Sequence, residues 1–393
     1  MIVFTYPGQG SQKPGMGEPW RDHPSWELVA EASDAAGRDV EALLLHADAD
    51  ELRQTRNAQL STFVLSMVVL DAVQRVGVDA AGHAGHSLGE YSALTASGAL
   101  DYGDAVRLVA ERGEAMQVAA EDREGTMAAV LGLDDAQVEI ACARVGGDVW
   151  VANYNAPGQV VIAGAPEAVA EAGQIAKEIG GKKTKLMPLP VSGAFHTPFM
   201  APARDRLRKA IDRTEIRAPQ GHVVANVDAM PHPEAGAWQG LLNAQLCSPV
   251  RWRQTLHTLA DLGFTTFVEL GPGTVLTGMA KRTITDARTL SVATPDDLDR
   301  MLETLAGPPV GAVGQIEGEH LFVTERIIVS PGAGVFTPVP GLEPGATIAA
   351  GDLVGTVGSL EVRSPFAGQL MGFLAVDTER VTSSEPIAWL RTG

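Results

Sequence analysis

The sequence predicts an α/β protein whose C-terminal part is a separate all-β domain. A serine lies in a G-x-S-x-G pentapeptide between a predicted strand and a predicted helix, at residues 85–89. Strands and helices alternate as β-α-β-β-α-β over residues 126–189. After residue 306, short β-rich segments separated by turns replace the helical pattern. A chain of 393 residues is long enough for two or three domains.

Composition excludes several classes of protein. Hydrophobic residues make up 45% of the chain and charged residues 20%, as in soluble globular proteins. The net charge of −18 argues against nucleic acid as the main partner, because phosphates are bound by basic surfaces. The N-terminal stretch has no basic segment before an apolar run, so we expect no signal peptide, and no apolar run is long enough to span a membrane. Two cysteines, Cys142 and Cys247, suit the reducing cytoplasm better than a disulfide framework.

The first part of the chain predicts the core of the α/β domain. "IVFTY" is typical of a short buried strand, and it runs into the glycine-rich loop "PGQGSQ". Residues 25–75 are predicted to be helical, and the apolar helix "LSTFVLSMVVLDAVQRVG" should stop at Gly77. After the pentapeptide, "GEYSALTASGAL" predicts a helix, and residues 101–120 predict another that carries Arg112.

A smaller subdomain is predicted at about residues 126–190. "TMAAVLG", "VWVANYN", "QVVIAG" and "KKTKLMPL" predict strands, with helices after the first and the third of them. This order is the signature of a ferredoxin-like subdomain. The chain then returns to the larger domain through "VSGAFHTPFM". The larger domain should extend over residues 1–305, and "AGPPVGAVGQ" indicates a linker at 306–320.

Ser87 is the candidate nucleophile, and its hydroxyl needs a base at neutral pH. His196, in "SGAFHTP", lies on an irregular stretch flanked by glycine and proline, where a side chain can be directed into a cleft. Spacing alone leaves open that His196 merely packs, since such catalytic groups are recognised by geometry. We interpret His86 as structural, because a residue adjacent to the serine should direct its side chain elsewhere.

An acyl-transfer site also needs N–H donors for the oxyanion. Leu88 follows the nucleophile and would supply one backbone N–H. The loop "PGQGSQ" could bring the backbone of Gln9 close, although such a loop can equally be an ordinary tight turn. Arg112 lies on an amphipathic helix, where most arginines are solvated, and its flanking residues do not decide its role.

Seven segments that occur in order carry a resemblance to a known family. They are "YPGQGSQ", "GHSLGEYSAL", "ERGEAMQ", "NYNAPGQVVIAG", "SGAFHTPFM", "QLCSPVRW" and "VELGPGTVLTGM". Over roughly residues 1–300 the chain resembles the malonyl-CoA:acyl carrier protein transacylases, including the acyltransferase domains of polyketide synthases. The resemblance implies an α/β-hydrolase-like core with an inserted ferredoxin-like subdomain, and a monomer.

The resemblance assigns catalytic roles by position. It makes Ser87 the nucleophile and His196 the general base. It implies that Gln9 and Leu88 form the oxyanion hole. It also implies that the main-chain carbonyl of Gln245, in "NAQLCSPVRW", orients the imidazole in place of the usual acid.

The resemblance also implies a substrate-binding set. Arg112 would pair bidentately with the free carboxylate of a malonyl group, which its planar fork suits better than a lysine. Asn155, in "NYNAPGQ", would line the site. Phe195 would fill the space that an α-methyl group needs, and so favour malonyl over methylmalonyl. Tyr6 is a small departure, because phenylalanine is common before "PGQG" in the family.

The implied activity is ping-pong malonyl transfer through a malonyl-serine, with malonyl-CoA and an acyl carrier protein as partners and with no cofactor or metal. An editing thioesterase of the same family and a transacylase for a different acyl extender unit are the alternatives. A non-catalytic binding module is disfavoured because no recognised catalytic position is missing. An acidic carrier would need a basic surface, and the candidates are residues 204–209, 182–185, Arg251 with Arg253, and Lys281 with Arg282.

Residues 321–393 contain an internal repeat. "SPGAG" at 330–334 recurs as "SPFAG" at 364–368, and the same offset of 34 carries 351–357 onto 385–391. This part resembles a biotinyl/lipoyl carrier domain whose central hairpin is cut down to "GSLEV". Biotin and lipoate are attached to a lysine, and no lysine follows Lys281. We therefore expect a degenerate docking or packing domain that carries neither group.

Overall fold

The computed structural model describes residues 1–191, 193–306, 325–382 and 385–391. The chain divides into two compact units, Met1–Pro309 and Val310–Gly393. The predicted linker at 306–320, apart from its first residue, and the first four residues of the predicted C-terminal domain lie outside the described residues. Among the described helices, none is both long enough and apolar enough to cross a membrane.

The first unit contains nine strands among its described residues. In chain order they are β1 (Ile2–Tyr6), β2 (Gly82–Gly85), β3 (Thr126–Leu131), β4 (Val149–Ala156), β5 (Gln159–Gly164), β6 (Lys185–Pro188), β7 (His222–Val223), β8 (Thr266–Leu270) and β9 (Arg288–Val292).

The same unit contains thirteen α-helices among its described residues. In chain order they are α1 (Glu27–Ala36), α2 (Val40–Leu45), α3 (Ala49–Arg53), α4 (Thr55–Arg75), α5 (Gly89–Ala96), α6 (Tyr102–Asp122), α7 (Asp135–Val145), α8 (Pro166–Gly180), α9 (Ala201–Ile211), α10 (Ala235–Gln245), α11 (Trp252–Asp261), α12 (Val275–Thr283) and α13 (Pro295–Ala306).

A five-stranded parallel sheet forms the centre of the larger domain, in the order β7-β2-β1-β8-β9. Strand β1 lies in the middle and is almost entirely buried, as its apolar sequence predicts. Helix α4 is buried along most of its length, since a helix that is apolar on all sides belongs in an interior. The carboxyl ends of β1 and β2 lie side by side, and loops at this edge of a parallel sheet commonly carry active sites.

The inserted subdomain has the predicted β-α-β-β-α-β order, formed by β3, α7, β4, β5, α8 and β6. Its antiparallel sheet has the order β4-β5-β3-β6, and both helices contribute buried residues to its separate core. The predicted last strand is shorter than expected, because a 3-10 turn occupies Gly181–Lys183 before β6 begins at Lys185.

The second unit is all-β over its described residues. Its strands are β10 (Glu325–Val329), β11 (Gly334–Pro338), β12 (Thr347–Ile348), β13 (Leu353–Val357), β14 (Leu360–Arg363), β15 (Gly368–Phe373), β16 (Arg380–Val381) and β17 (Pro386–Arg391). They form two four-stranded sheets, β10-β17-β15-β12 and β14-β13-β11-β16, with antiparallel pairing throughout.

The sequence repeat corresponds to a structural repeat in this unit. Ser330 and Ser364 are buried, and each hydroxyl donates a hydrogen bond to the carbonyl two residues on, at 2.5 and 2.6 Å. The offset of 34 carries β11 onto β15 and β13 onto β17, so each sheet contains the counterparts of the other's strands. The shortened hairpin turns at Gly358, whose φ of 58° suits glycine.

Candidate active site

Ser87 lies on a sharp turn between β2 and α5. Its φ of 54° lies in the left-handed region, which is strained for a residue with a side chain. A Cβ atom on Gly85 would lie 1.9 Å from the backbone of Gly89, and one on Gly89 would lie 2.0 Å from the carbonyl oxygen of Tyr6. Both glycines are therefore required by close backbone packing, and the turn holds the serine hydroxyl away from the sheet.

His196 is hydrogen-bonded to the serine. Ser87 Oγ lies 2.7 Å from His196 Nε2, and His196 Nδ1 lies 3.0 Å from the main-chain carbonyl oxygen of Gln245. Because a carbonyl oxygen only accepts, the proton of a neutral imidazole belongs on Nδ1. Nε2 is then free to accept the hydroxyl proton of Ser87, as a general base must.

Burial sets the protonation state of this histidine. The pKa of His196 is lowered to about 3, chiefly by burial and then by the positive charge of Arg112, against an opposing contribution from the Gln245 carbonyl. The imidazole is therefore neutral at physiological pH. A neutral imidazole beside a serine hydroxyl is in the form that can accept a proton.

Arg112, on α6, is fully buried beside the nucleophile. Its Nη2 donates to Ser87 Oγ at 3.1 Å and to Gln245 Oε1 at 2.9 Å, and its Nη1 donates to Gln59 Oε1. Within the described part of the chain, no ion pair involves Arg112. Buried cations are normally paired with an anion, so this guanidinium favours an anionic group next to Ser87.

The loop after β1 packs against the serine turn. A Cβ atom on Gly8 would lie 2.6 Å from the carbonyl oxygen of His86, so the two backbones are in contact. Over the described residues, no group accepts a hydrogen bond from the backbone N–H of Gln9 or of Leu88. Both amides are thus available to an oxyanion. The Gln9 side chain accepts a hydrogen bond from Gln59 Nε2 at 3.2 Å and so joins the Arg112 network.

Three residues of the site were missed by sequence reasoning: Gln59, Glu90 and Asn226. Asn226 Oδ1 accepts the Ser87 N–H at 2.7 Å, and its Nδ2 donates to the Gly85 carbonyl at 2.7 Å, so it holds both ends of the serine turn. The glutamine directly before the apolar stretch of α4 was the available signal for Gln59. The acidic residue inside "HSLGE" was the corresponding signal for Glu90, and nothing marked Asn226.

Two predicted substrate-binding residues, Asn155 and Phe195, form no hydrogen bond with Ser87. Asn155 Oδ1 is bonded to His86 Nε2 at 2.9 Å, and His86 packs edge-on against Trp252. His86 is therefore directed away from Ser87, in the structural position expected for it. Phe195 is buried, and its ring occupies the space beside Gly193. Its role in excluding an α-methyl group stays a prediction.

A cavity of about 490 Å³ leads to the histidine. His196, Cys247 and Pro249 line it on the side of the larger domain, and Trp150 and Tyr154 line it on the side of the inserted subdomain. A cavity of this size can hold a small ligand. Over the described residues, no group of three or more histidine, cysteine or acidic side chains is placed to hold a metal ion.

Comparisons with known proteins agree with this geometry. The acyl transferase domain family matches residues 3–299. The chain is 40% identical over 309 residues to the malonyl CoA-acyl carrier protein transacylase of Bacillus subtilis, covering 77% of this chain and 97% of that protein. It is 41% identical over 307 residues to the protein of that name from Escherichia coli, covering 77% and 99%.

Solved structures give the same result. An acyl-carrier-protein S-malonyltransferase from Burkholderia pseudomallei is 40% identical, with a TM-score of 0.73, and the match covers 77% of this chain and 99% of that one. A malonyl-transacylase in complex with a type II polyketide acyl-carrier protein is 38% identical, with a TM-score of 0.74 and the same coverage.

The fold and the matched domain family define an acyltransferase. The chain belongs to the malonyl CoA-acyl carrier protein transacylase family.

Proposed function

We propose that this protein transfers a malonyl group from malonyl-CoA to the phosphopantetheine thiol of an acyl carrier protein. The observation that carries the proposal is Arg112, a fully buried cation that touches the nucleophile and has no acidic partner among the described residues. A malonyl group is short and ends in a carboxylate. It can therefore present its thioester carbonyl to Ser87 while its carboxylate pairs with the guanidinium.

The first half-reaction acylates the enzyme. Ser87 Oγ attacks the thioester carbon of malonyl-CoA as His196 Nε2 takes the hydroxyl proton. The carbonyl oxygen becomes an oxyanion, for which the free N–H groups of Leu88 and Gln9 are the proposed donors. The C–S bond then breaks, and the imidazolium returns its proton to the departing thiolate. CoA leaves, and malonyl-serine remains.

The second half-reaction runs the same steps with a different thiol. His196 takes the proton of the phosphopantetheine thiol, whose sulfur attacks the malonyl ester. Collapse of the oxyanion releases Ser87, which recovers its proton from the imidazolium. The carrier then holds the malonyl group as a thioester, and water must be excluded while the ester exists.

An editing thioesterase is the main alternative function. It would share Ser87 and His196, but removal of neutral acyl groups requires no carboxylate clamp, whereas Arg112 lies beside the nucleophile and forms no ion pair among the described residues. A different extender unit is the other alternative. Phe195 favours malonyl over branched units if its ring fills the space of the α-methyl group, as the family resemblance implies.

Several of the basic side chains that were candidates for binding a carrier protein are already in ion pairs. On α9, Arg204, Arg206 and Arg208 each form an ion pair with an acidic residue, and Arg253 is paired with Asp135. Surface charges that are already paired attract an acidic partner less.

The lysines at 182–185 are the better docking candidates. They are exposed, and within the described residues they form no ion pair. Lys185 in β6 lies opposite Leu131 in β3, and Leu131 lies opposite Gln159 in β5. Gln159 in turn accepts a hydrogen bond from Arg282. We therefore propose that the carrier docks at this end of the subdomain sheet.

We propose that the second unit is a degenerate biotinyl/lipoyl-like domain. Two features support this: each sheet contains the repeat counterparts of the strands in the other sheet, and the turn at Ser330 recurs at Ser364. The two-residue hairpin turn at Gly358 carries no lysine. Attachment of biotin or lipoate would need that lysine, so the domain serves packing or docking.

Product partition distinguishes transfer from editing. The enzyme is mixed with malonyl-CoA and holo-carrier protein, and malonyl-carrier and free malonate are quantified together. The proposal predicts malonyl-carrier as the main product. Free malonate without malonyl-carrier would instead support the thioesterase.

A further inference from the structure

We propose that Glu90 is a positioning residue for acyl transfer: its carboxylate orients the Gln245 amide, which holds Arg112 and the main chain of Ser87 in place. This inference rests on the proposed malonyl transfer. Glu90 lies in the first turn of α5, three residues after the nucleophile, and is fully buried.

Each oxygen of the Glu90 carboxylate accepts from a different donor. Oε1 accepts the backbone N–H of Asn226 at 2.7 Å, and Oε2 accepts from Gln245 Nε2. An ionised carboxylate presents acceptors on both sides and carries no donor. A glutamine would direct its NH₂ group at one of these two donors. The site is therefore built for the charged form of Glu90.

The carboxylate determines which way the Gln245 amide faces. Gln245 Nε2 donates to Glu90 and to the Ser87 carbonyl at 2.9 Å, which leaves Gln245 Oε1 for Arg112 Nη2 at 2.9 Å. If the amide were reversed, its NH₂ group would face the guanidinium, and two donors would oppose each other. The same residue presents its main-chain carbonyl to His196, a contact that does not use the side-chain amide.

Glu90 also places a negative charge near Arg112 without accepting a hydrogen bond from its guanidinium. The pKa of Glu90 is raised to about 7, because the effect of burial outweighs the hydrogen bonds to Asn226 and Gln245 and the charge of Arg112, which lower it. Its carboxylate accepts hydrogen bonds from Asn226 and Gln245, and the N–H groups of Arg112 bond to amide and hydroxyl oxygens instead. A negative charge nearby lowers the cost of burying the cation. Arg112 therefore has no carboxylate bonded to it among the described residues, and its Nε has no hydrogen-bond partner there.

The test compares Glu90→Gln with Glu269→Gln in the full chain. Glu269 is a second buried carboxylate, which accepts hydrogen bonds at the start of α12 and has no bond to Ser87, His196, Arg112 or Gln245. Rates of acylation by malonyl-CoA and by acetyl-CoA are measured for each enzyme. A hydrogen bond to a charged group corresponds to about a tenfold to hundredfold change in rate.

We expect Glu90→Gln to lower kcat/KM for malonyl-CoA by that factor and to change the slow acetyl-CoA reaction by less than about threefold. Glu269→Gln should leave the malonyl-to-acetyl ratio unchanged. In a Gln245→Ala background, Glu90→Gln should have no further effect on the ratio, because the mediating amide is gone. Equal losses for both substrates, or full additivity with Gln245→Ala, would overturn the proposal.

Folding failure does not leave the question open. If Glu90→Gln does not fold, Gln245→Ala alone must lower the malonyl-to-acetyl ratio, and an unchanged ratio would refute the role of the amide. If the proposed function itself is wrong, the wild-type enzyme will form no malonyl-enzyme. That result is distinct from a changed ratio in a variant, and it would refute the positioning role as well.

Discussion

Replacing Arg112 by alanine should remove the preference for malonyl-CoA. The guanidinium is fully buried, so its hydrogen bonds to a substrate carboxylate would be weakly screened by water. Two charge-assisted hydrogen bonds, each worth about 1.5–2 kcal/mol, give a loss of about 3–4 kcal/mol. This corresponds to a fall in kcat/KM for malonyl-CoA of roughly two to three orders of magnitude.

Acetyl-CoA should respond differently to the same change, because it has no carboxylate. Arg112 also donates to Ser87 Oγ, so we expect a smaller loss for acetyl-CoA, of about tenfold or less. Arg107→Ala is the matched control, since Arg107 lies on the same helix but is exposed and paired with Asp104. It should leave both substrates unaffected.

The assay is rapid-quench acylation followed by intact-protein mass spectrometry, with both thioesters and all three enzymes. Circular dichroism and a urea titration show whether each variant is folded. A folded Arg112→Ala enzyme with an unchanged malonyl-to-acetyl ratio would refute the carboxylate clamp.

Four further predictions concern stability, the second unit and the carrier. Tyr6 OH and His83 Nδ1 share a buried hydrogen bond at 3.1 Å, so Tyr6→Phe should lower the free energy of unfolding by about 1–3 kcal/mol in urea titrations. Burial lowers the pKa of His83 to about 4, below its value near 6.5 in an unfolded chain. The contribution of neutral His83 to the free energy of unfolding is therefore complete above pH 6.5, and about 3 kcal/mol of it is lost as the pH falls to 4. A urea midpoint that stays constant between pH 6.5 and 4 would contradict this. Deletion of residues 315–393 should alter stability or carrier affinity but leave malonyl loading of the folded enzyme intact, and loss of loading would contradict this. Exchanging the lysines of 182–185 for glutamate should weaken carrier binding and make the binding less dependent on salt. Lys13→Glu is the control and should leave both unchanged. Unchanged titrations would exclude that surface.

The parts of the fold that depend on local pattern were predictable from the sequence. The alternation over 126–189 gave the subdomain order, which the structure has. The pentapeptide predicted the serine turn, since close packing at Gly85 and Gly89 excludes any side chain. Approximate element positions follow from such short-range patterns, while the exact start of β6 did not.

The polar network around the serine was not predictable in the same way. Asn226 holds the turn from 139 residues away in the chain, and Gln245 meets Glu90 across 155 residues. No sequence pattern specifies such contacts, because they depend on how the loops meet above the sheet. The basic run on α9 indicated a docking surface, but its arginines form ion pairs, and one of the acidic partners, Glu111, is brought near only by the fold.

The most direct measurement of the central claim follows the malonyl group itself. The enzyme is exposed briefly to malonyl-CoA, freed of excess thioester, digested, and analysed by mass spectrometry before and after addition of holo-carrier protein. The account predicts a malonyl adduct on the peptide that contains Ser87, which disappears as malonyl-carrier forms. An adduct on another residue, or one that is lost only as free malonate, would contradict it.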